Sequence, residues 1–431
     1  MSGPRIVALD VGSSSVRAAV YDEHGIVEPG EARLGYALSD ADDLVAACSA
    51  VLGQVGEGDE LAISCFWHSL VAVDEHDRPL TPVLTWRDLG GSPPALDPDD
   101  YHRRTGCFDH PAYWPAKVGR LREQGVRAAR YLSFGDYLLL RLAGEARSSI
   151  STASGTGLFD PNRLDWDDET LAAAGVDRAQ LPPVSDEPVA GVRPALGDGA
   201  CSNVGAGCTT RTRAAVMVGT SAALRVVYEA GAAAPRPGLF LYRLDGGRFC
   251  EGGALSDGGN LHAWLRQTLG DGADTGLAAR PAAAHGLVFL AFLGGERSLG
   301  WNADRRGAIH GLSFATSGAD IVQAALEGVC YQLADVLDAL GGVESVVVTG
   351  GGLLANADWT QILADVLGCT LEVSAVDEGS ARGAAMMALE RAGWPVPPAP
   401  VARAVEPRLD RHEIHLVARA EQQVMKSEGL T

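Results

Sequence analysis

The chain has 431 residues, of which 46% are apolar and 21% are charged, and its formal net charge is −20. This profile excludes a disordered or fibrous protein and predicts two domains of roughly 200 residues each, with a cleft between them. The negative charge disfavours nucleic acid and anionic membrane surfaces as partners. An anionic ligand must therefore be held locally, by backbone N–H groups, a metal ion and a few basic side chains.

The first residues, MSGPRIVALD, reach Asp10 without the apolar stretch of a signal peptide. No uncharged apolar run approaches the roughly 18 residues that a membrane helix needs. We therefore expect a cytoplasmic protein without a membrane association. The eight cysteines form no C-x-x-C pair, so the sequence predicts neither a zinc site nor a disulfide framework.

In chain order, the first predicted element is a β-meander. The segments IVALD and VRAAVYD predict two strands around the turn VGSSS, and a third strand is expected near Ile26. Between Leu61 and Trp86, LAISCFWHSLVAV and LTPVLTW predict further strands on either side of a turn at DEHDRP. Apolar positions at helical spacing predict helices between Pro115 and Arg141 and from Ile321 to Leu340.

The segment from Leu181 to Gly199 is rich in Pro, Gly and Asp, which favours a crossover between domains. We expect a boundary near residue 208 and hence domains of residues 1–208 and 209–431. The residues beyond Pro395 begin PVPPAPVAR and predict a loosely held surface segment.

Two segments resemble each other, LDVGSSSVRAAVYD at Leu9–Asp22 and VMVGTSAALRVVYE at Val216–Glu229. Each places Val-Gly-[Ser/Thr]-Ser before an Arg and an apolar strand. This similarity predicts two domains of one fold that arose by duplication, with chance similarity of two short hairpins as the alternative.

Each of these turns is a candidate phosphate-binding hairpin. Glycine lets the backbone approach a ligand, and the N–H groups and hydroxyls of the turn can face phosphate oxygens. Asp10 would then hold Mg²⁺ through water. A single turn of this kind is also compatible with a solvated hairpin, but two turns facing each other could bind one polyphosphate from both sides.

A third glycine-rich turn, Gly350 to Gly352, follows the β-rich segment SVVVT and precedes a helix expected near Asn356. It also fits G-x-G-x-x-A, with Glu372 about 20 residues further on, which makes a dinucleotide-binding unit an alternative. That unit normally opens its domain, and too little chain follows here, so we favour a mononucleotide.

Phosphoryl transfer needs a base near the acceptor hydroxyl, and LGDGACSNVGAG supplies Asp198 at a predicted loop-to-helix junction. The alternative is that Asp198 only caps the helix. Trp67, His68, Trp86 and Asp88 lie on and after two predicted strands and offer apolar faces with polar tips suited to a polyol. A structural histidine is the alternative for His68. The charged, glycine-rich segment GGERSLGWNADRRG predicts an ordered loop beside the cleft.

Together, these segments resemble the FGGY family of carbohydrate kinases from about Ile6 to Gly393. The resemblance rests on motifs in the family's order, among them DVGSSSVRAAVYD, LTW-x-D, GDGACSNVGAG, VGTSAALR, GGERSLGWNADRRG and VTGGGLLANADWTQILADVLG. It implies an α/β protein with two RNase H-like domains of the actin-like ATPase superfamily and a nucleotide and substrate cleft between them. FWHSLVAVD and GDGACSNVG resemble the gluconate kinases more than the pentulose (xylulose) kinases.

The resemblance implies an ATP- and Mg²⁺-dependent kinase that phosphorylates a small polyhydroxy substrate, with Asp198 as general base. The expected substrate is a gluconate-like sugar acid. Asp10 would organise Mg²⁺, and Trp67, His68, Trp86, Asp88 and Asp257 would face the substrate. The implied ATP-binding residues are Gly12, Ser13, Ser14, Ser15, Arg17, Gly219, Thr220, Ser221, Gly350, Gly351, Gly352 and Asn356.

Two departures from the gluconate kinases bear on the substrate. A position where those kinases usually have Arg is Gly90, and Asp257 stands where Asn is usual. Losing a basic residue and gaining a carboxylate weaken the prediction of an anionic substrate, because an unpaired like charge in a site is costly. A xylulose or other polyol kinase is therefore one alternative, and a degenerate actin-like ATP-binding sensor is another. A homodimer is left open.

Overall fold

The computed structural model describes residues 3–36, 40–270 and 272–428. The strands are β1 (Ile6–Val11), β2 (Ser15–Asp22), β3 (Gly25–Gly35), β4 (Glu60–Cys65), β5 (Val71–Val73), β6 (Arg130–Leu132), β7 (Phe159–Asp160), β8 (Asp165–Trp166), β9 (Leu196–Gly197), β10 (Arg213–Val218), β11 (Ala222–Glu229), β12 (Phe240–Arg243), β13 (Arg248–Leu255), β14 (Val288–Leu290), β15 (Ala308–His310), β16 (Ser345–Thr349), β17 (Leu371–Ser374) and β18 (Val401–Val405). The helices are α1 (Ala41–Leu52), α2 (Pro98–Thr105), α3 (Trp114–Glu123), α4 (Phe134–Ala143), α5 (Ile150–Ser154), α6 (Asp168–Ala174), α7 (Asp198–Gly205), α8 (Gly259–Leu269), α9 (Gly318–Leu340), α10 (Gly351–Leu354), α11 (Ala357–Leu367), α12 (Gly379–Arg391) and α13 (Leu409–Ser427). None of these helices is long and apolar enough to span a bilayer.

The first sheet has the strand order β3-β2-β1-β4-β9. The meander β1-β2-β3 is antiparallel, as predicted, and β4 and β9 continue the sheet in parallel with β1. Val11 lies beside Cys65, and Cys65 lies beside Gly197. The carboxyl ends of three parallel strands therefore meet at one edge, where an α/β sheet characteristically presents its functional residues.

The second sheet has the order β12-β13-β11-β10-β16-β17-β18. Its middle five strands repeat the first sheet: β13, β11 and β10 are antiparallel neighbours, and β16 and β17 continue in parallel. The two similar segments found in the sequence form the same hairpin in each sheet, β1-β2 and β10-β11. The prediction that the two halves share a fold is thereby confirmed.

The N-terminal half carries the first sheet and the C-terminal half the second, and a pair of helices joins them. Helix α7 leads from β9 into β10, and α12 packs against α7 and against the first sheet. The two helices touch at glycines: a Cβ at Gly205 would lie 1.9 Å from the Gly379 oxygen, and one at Gly383 would lie 1.9 Å from the Cys201 oxygen. Only glycine permits this close backbone approach.

Three predictions about elements were wrong or incomplete. LTPVLTW forms no strand but only the isolated bridge of Leu84 to Leu70, because Pro82 within it cannot donate to a ladder, and β5 pairs with β6 instead. The helical pattern from Pro115 to Arg141 divides into α3 and α4 around β6.

The third concerns the residues beyond Pro395, which are not a loose segment. Strand β18 pairs with β17 at the edge of the second sheet, and α13 follows it. His415 and Gln422 on α13 are buried, and Gln422 Nε2 donates to the Phe289 oxygen at 2.8 Å. The buried side chains that hold this helix are polar. The sequence therefore lacks the pattern of apolar residues that would have predicted a packed helix.

Candidate active site

A small cavity of about 70 Å³ lies between the two halves. Its lining includes Phe66, Trp67, His68, Trp86, Tyr113 and Asp198 from the N-terminal half, and Ser221, Arg225, Phe240, Tyr242, Arg297 and Trp301 from the C-terminal half. The structure thus brings together Trp67, His68, Trp86, Asp198 and Ser221, which the sequence had singled out separately. The cavity has room for a few water molecules, so a sugar enters only when the lining side chains or the two halves move.

Asp198 follows β9 directly and is the first residue of α7, whose N-cap is Gly197. Its Oδ1 accepts a hydrogen bond from the Gly199 N–H at 2.8 Å, so the side chain does not cap the helix in the usual way. Burial raises the pKa of the Asp198 carboxyl, while the charge of Arg225 and the Gly199 N–H lower it in part. A desolvated carboxylate at this position is a stronger base than one in water and is suited to accept a proton.

Trp67 forms the wall behind Asp198. Its Nε1 donates to the Ser151 oxygen at 3.0 Å, and its ring lies against two glycines. A Cβ at Gly197 would lie 1.9 Å from Trp67 Cε2, and one at Gly199 would lie 2.7 Å from Cζ3. The glycines on both sides of Asp198 are therefore required by the indole ring.

His68 presents one ring nitrogen to the cavity. Its Nδ1 lies 2.6 Å from the Gly155 oxygen and donates to it, which leaves Nε2 as an acceptor for a hydroxyl. Burial and the nearby charge of Lys117 lower the pKa of His68 to about 3, so the ring is neutral at physiological pH. Lys117 Nζ donates to the His68 oxygen at 2.5 Å, and burial lowers the pKa of Lys117 to about 7. Sequence reasoning missed Lys117, which lies on an otherwise apolar face of α3.

Two predicted substrate carboxylates lie elsewhere. Asp88 Oδ2 accepts hydrogen bonds from the Thr85 N–H at 2.7 Å and its hydroxyl at 3.2 Å, on the surface beside Arg120. Asp257 is buried, and it accepts from the N–H groups of Leu293 at 2.7 Å and Gly294 at 3.3 Å. Among the described residues, neither carboxylate lines the cavity, because local backbone N–H groups occupy both.

Asp10 is buried at the end of β1, beside Ser64 of β4. The Ser64 hydroxyl donates to Asp10 Oδ1 at 2.8 Å, and Arg17 Nη1 lies 3.5 Å from Oδ2. Burial raises the pKa of Asp10 to about 6, and Asp198 is near enough to contribute to the rise. Arg17 also pairs with Glu378 at 2.5 Å, a contact between the two halves that the sequence did not predict.

Each hairpin turn is closed by a hydrogen bond from its glycine N–H, and the second turn is one residue shorter than the first. The Gly12 N–H donates to the Ser15 oxygen at 3.0 Å, and the Gly219 N–H donates to the Ser221 oxygen at 2.9 Å. Ser14 and Thr220 are exposed at the two tips. Ser13 lies beside Ser14 in the first turn and is half-buried, so both turns present polar atoms to solvent.

The third turn lies against the second hairpin. Gly350 has φ 84°, and a Cβ there would lie 2.6 Å from the Val218 oxygen at the end of β10. A Cβ at Gly352 would lie 2.8 Å from the same oxygen, and Gly351 begins α10 between them. Asn356 is the N-cap of α11, since its Oδ1 accepts from the Trp359 N–H at 2.9 Å.

Two arginines in the cavity were not predicted as site residues. The guanidinium of Arg297 lies over the Trp86 ring at 4.5 Å, and its Nη2 donates to the Leu255 oxygen at 2.5 Å. Burial lowers the pKa of Arg297 to about 10, so it remains charged. Arg225 is the second, so among the described residues the cavity lining contains two cationic groups and one carboxylate, that of Asp198.

The first sheet and the middle of the second sheet have the same strand order, and a buried carboxylate and glycine-rich turns lie between them. This arrangement defines a two-domain α/β protein of the actin-like ATPase fold. Models of the FGGY family of carbohydrate kinases match residues 112–194 (N-terminal domain) and residues 214–391 (C-terminal domain). The chain belongs to this family and is an ATP-dependent sugar kinase.

A gluconokinase from Bacillus subtilis is 27% identical over 90% of this chain and 88% of its own length. A glycerol kinase from Allorhizobium ampelinum is 30% identical over 91% of both chains. The crystal structure of a ligand-bound xylulose kinase from Lactobacillus acidophilus superposes with a TM-score of 0.86 over 98% of both chains at 23% identity. The family models and the similarity to the glycerol kinase establish the family, and the similarity to the xylulose kinase structure establishes the fold.

Proposed function

We propose that the protein phosphorylates a hydroxyl of a gluconate-like sugar acid with ATP, and that Asp198 is the general base. The observation that carries this proposal is the charge of the cavity, where Arg225 and Arg297 outnumber the one carboxylate. A buried excess of positive charge favours an anionic ligand over a neutral polyol of the same shape.

In this mechanism Asp198 takes the proton of the acceptor hydroxyl as its oxygen attacks the γ-phosphorus. A new oxygen–phosphorus bond forms, the bond to the β,γ-bridging oxygen breaks, and ADP leaves. The serines and glycines of both hairpins, with Arg17, would hold the phosphates, and Gly350 to Gly352 with Asn356 would lie near the adenosine. His68 Nε2 would accept a hydrogen bond from another hydroxyl and so orient the sugar.

Asp10 fits the role of organising Mg²⁺. It is a buried carboxylate at the carboxyl edge of the first sheet, and its hydrogen bond from Ser64 fixes its orientation. Mg²⁺ prefers oxygen ligands and keeps several waters, so one carboxylate acting through water suffices. When bound, the ion would offset the negative charge of the triphosphate.

The two departures from the gluconate kinases, at Gly90 and Asp257, do not exclude an acid substrate. Asp257 faces the backbone of Leu293 and Gly294 and adds no charge to the cavity. Gly90 supplies no cation, but Arg225 and Arg297 of the C-terminal half do. The gluconokinase among the relatives points to the same substrate class.

A neutral ketose or polyol is the second candidate. The neutral ring of His68 and the indole of Trp67 suit a polyol equally well, and xylulose and glycerol kinases are among the relatives. A catalytically degenerate sensor is not favoured, since the base position and both hairpins are retained.

The test measures ADP release with ATP, Mg²⁺ and a panel of gluconate, other aldonates, xylulose, ribulose, sorbitol and glycerol. We expect the highest kcat/KM with an aldonate. Turnover that is highest with a neutral compound would refute the acid assignment, and the absence of substrate-stimulated turnover, together with the absence of a sugar-dependent thermal shift, would favour the sensor.

We further propose that the two domains divide near residue 208, since the last strand of the first sheet ends at Gly197 and the second sheet begins at Arg213. A cytoplasmic location is part of the same proposal, because ATP as the phosphoryl donor is found there. Closure of the two domains would exclude water and protect ATP from hydrolysis.

A further inference from the structure

Arg225 is the less well hydrogen-bonded of the two buried arginines that line the cavity: Arg297 Nε also lacks a partner among the described residues, but Arg297 Nη2 donates to the Leu255 oxygen. Arg225 lies on β11 with 8% of its surface exposed, and its guanidinium borders the cavity. Among the described residues, its Nε and Nη1 have no hydrogen-bond partner. A buried charge without a partner is strongly destabilising, so such a group in a native protein calls for an explanation.

Arg243 lies on β12 of the same sheet, separated from β11 by β13, and is an example of a buried arginine with a structural role. It is 1% exposed, and its guanidinium donates to the oxygens of Pro161, Ala230, Gly246 and Gly231. The chain therefore satisfies a buried arginine where it serves only the fold. Arg225 is left with free donors, and these donors border the cavity that holds Asp198.

The surroundings of Arg225 are built to give its side chain room. Gly252 lies opposite it in the β11-β13 ladder, and a Cβ there would lie 2.9 Å from Arg225 Cγ. A Cβ at Gly199 would lie 2.9 Å from Arg225 Cζ. Asn203 of α7 fixes the strand, since its Nδ2 donates to the Arg225 oxygen at 2.9 Å. The helix that carries Asp198 thus also positions Arg225.

The place of Arg225 in the cavity indicates which anion it meets. It shares the cavity with Trp67, His68 and Tyr242, the side chains that would contact the sugar. The glycine turns at Gly12 and Gly350 do not contribute to the described lining of this cavity. The second hairpin contributes Ser221 to this lining, so the transferred phosphate would reach the cavity from that turn, whereas most of the side chains that share the cavity with Arg225 are those that would contact the sugar.

We propose that Arg225 binds the carboxylate of the substrate and is the residue that makes the enzyme prefer an aldonate over a neutral polyol. This inference rests on the proposed function and extends it to a specificity-determining residue. Arg297 already stacks on Trp86 and donates to the Leu255 oxygen, so it contributes charge but is less free to bind. Gly199 is needed for the same interaction, because a side chain at this position would displace the guanidinium of Arg225.

The experiment compares gluconate with sorbitol, which has a neutral CH₂OH in place of the carboxylate. The proteins are the unchanged enzyme, Arg225→Met, Arg225→Lys and the control Arg211→Met, which removes a cation from a half-exposed position outside the cavity. Measured quantities are kcat and KM for each acceptor and for ATP, and the melting temperature with and without gluconate.

A hydrogen bond to a charged group contributes about 10- to 100-fold in binding, so Arg225→Met should lower the gluconate-to-sorbitol ratio of kcat/KM by about that factor, chiefly through KM. Arg225→Lys should retain part of the preference. In the unliganded Arg225→Met protein, the removal of an incompletely hydrogen-bonded buried charge and the loss of its attraction to Asp198 act in opposite directions, so the melting temperature serves as a control for folding. Gluconate should no longer raise that melting temperature.

The outcomes separate the two proposals. If the unchanged enzyme prefers sorbitol and is not stabilised by gluconate, the proposed function fails, and this inference fails with it. If the unchanged enzyme prefers gluconate but Arg225→Met keeps that preference, only the inference is refuted. A variant that loses activity equally with both acceptors while KM for ATP rises would assign Arg225 to the γ-phosphate and would also refute it. Arg211→Met should keep the kcat, the KM values and the gluconate-to-sorbitol ratio of the unchanged enzyme; because Arg211 pairs with the buried Glu251, only its melting temperature should be lower.

Discussion

Replacing Asp198 by Asn separates the catalytic role of this residue from its structural role. Asn has nearly the same volume, and its Oδ1 can still accept the hydrogen bond that the Gly199 N–H donates at 2.8 Å. The start of α7 and the packing of Trp67 against Gly197 and Gly199 should therefore persist. The substitution removes only the ability to take a proton.

The size of the effect follows from the chemistry of a positioned base, which contributes about 10²- to 10⁴-fold to the rate. We expect kcat to fall by about that factor in Asp198→Asn, with little change in KM for ATP. In the unchanged enzyme, kcat/KM should fall as pH decreases through the pKa of Asp198. Because burial raises that pKa above the ordinary value of 3.8, the fall should begin at a higher pH than for an exposed aspartate.

Asp198→Asn should increase the stability of the folded protein at neutral pH, although it decreases the activity. A carboxyl whose pKa is raised in the folded state favours folding when protonated, and this advantage is lost as pH rises from the unfolded pKa through the folded one. Above that window the charged Asp198 destabilises the folded protein, and Asn does not. Asp198→Asn should therefore melt higher than the unchanged enzyme at neutral pH, and the difference should shrink as pH falls toward the ordinary aspartate pKa.

Both expectations can be checked with steady-state kinetics and thermal melts of the unliganded proteins between about pH 4 and 8. Undiminished turnover in Asp198→Asn would refute the assignment of the base. A large loss of turnover accompanied by a lower melting temperature at all pH values would show that the residue acts through the structure of α7.

Three further changes test other contacts. Gly197→Ala places a Cβ 1.9 Å from Trp67 and should destabilise the fold by about 1–3 kcal/mol, measured by urea unfolding. Lys426→Met removes a 2.5 Å ion pair to the buried Glu296 and should cost about 1–3 kcal/mol in the same assay; an unchanged midpoint would contradict it. Asp257→Asn should lower stability yet leave the gluconate-to-sorbitol ratio unchanged, whereas an altered ratio would place Asp257 in the site after all.

The fold was predictable where the sequence repeats itself. The two similar segments, Leu9–Asp22 and Val216–Glu229, fixed the hairpins β1-β2 and β10-β11, and the sheets around them have the same order. The error at LTPVLTW arose because alternation of apolar residues indicates burial, while the missing N–H group of Pro82 interrupts a ladder. The α13 helix escaped prediction because it is held by buried polar contacts such as that of Gln422.

The candidate site was predictable where a functional residue follows shortly after the end of a strand in the sheet. Asp198 and Trp67 follow β9 and β4, so their meeting at one edge follows from parallel pairing. The prediction that Asp88 and Asp257 face the substrate stays a prediction; the sequence could not show that nearby N–H groups occupy their carboxylates, which lie outside the described lining of the cavity. Arg225 was missed because an arginine inside an apolar strand gives no sign of whether its guanidinium has partners.

The charge of the site can be understood only across both halves. Within the N-terminal half, the glycine at position 90 suggests that a basic contact to the substrate has been lost. The C-terminal half supplies Arg225, whose charge lowers the pKa of Asp198 in opposition to burial. Asp198 and Arg225 come from different halves and already line one cavity, because Asn203 of the helix that carries Asp198 also donates to the backbone of Arg225. An acid substrate that contacts both residues would therefore bridge the two halves and favour the state in which they are together, because it binds that state more tightly.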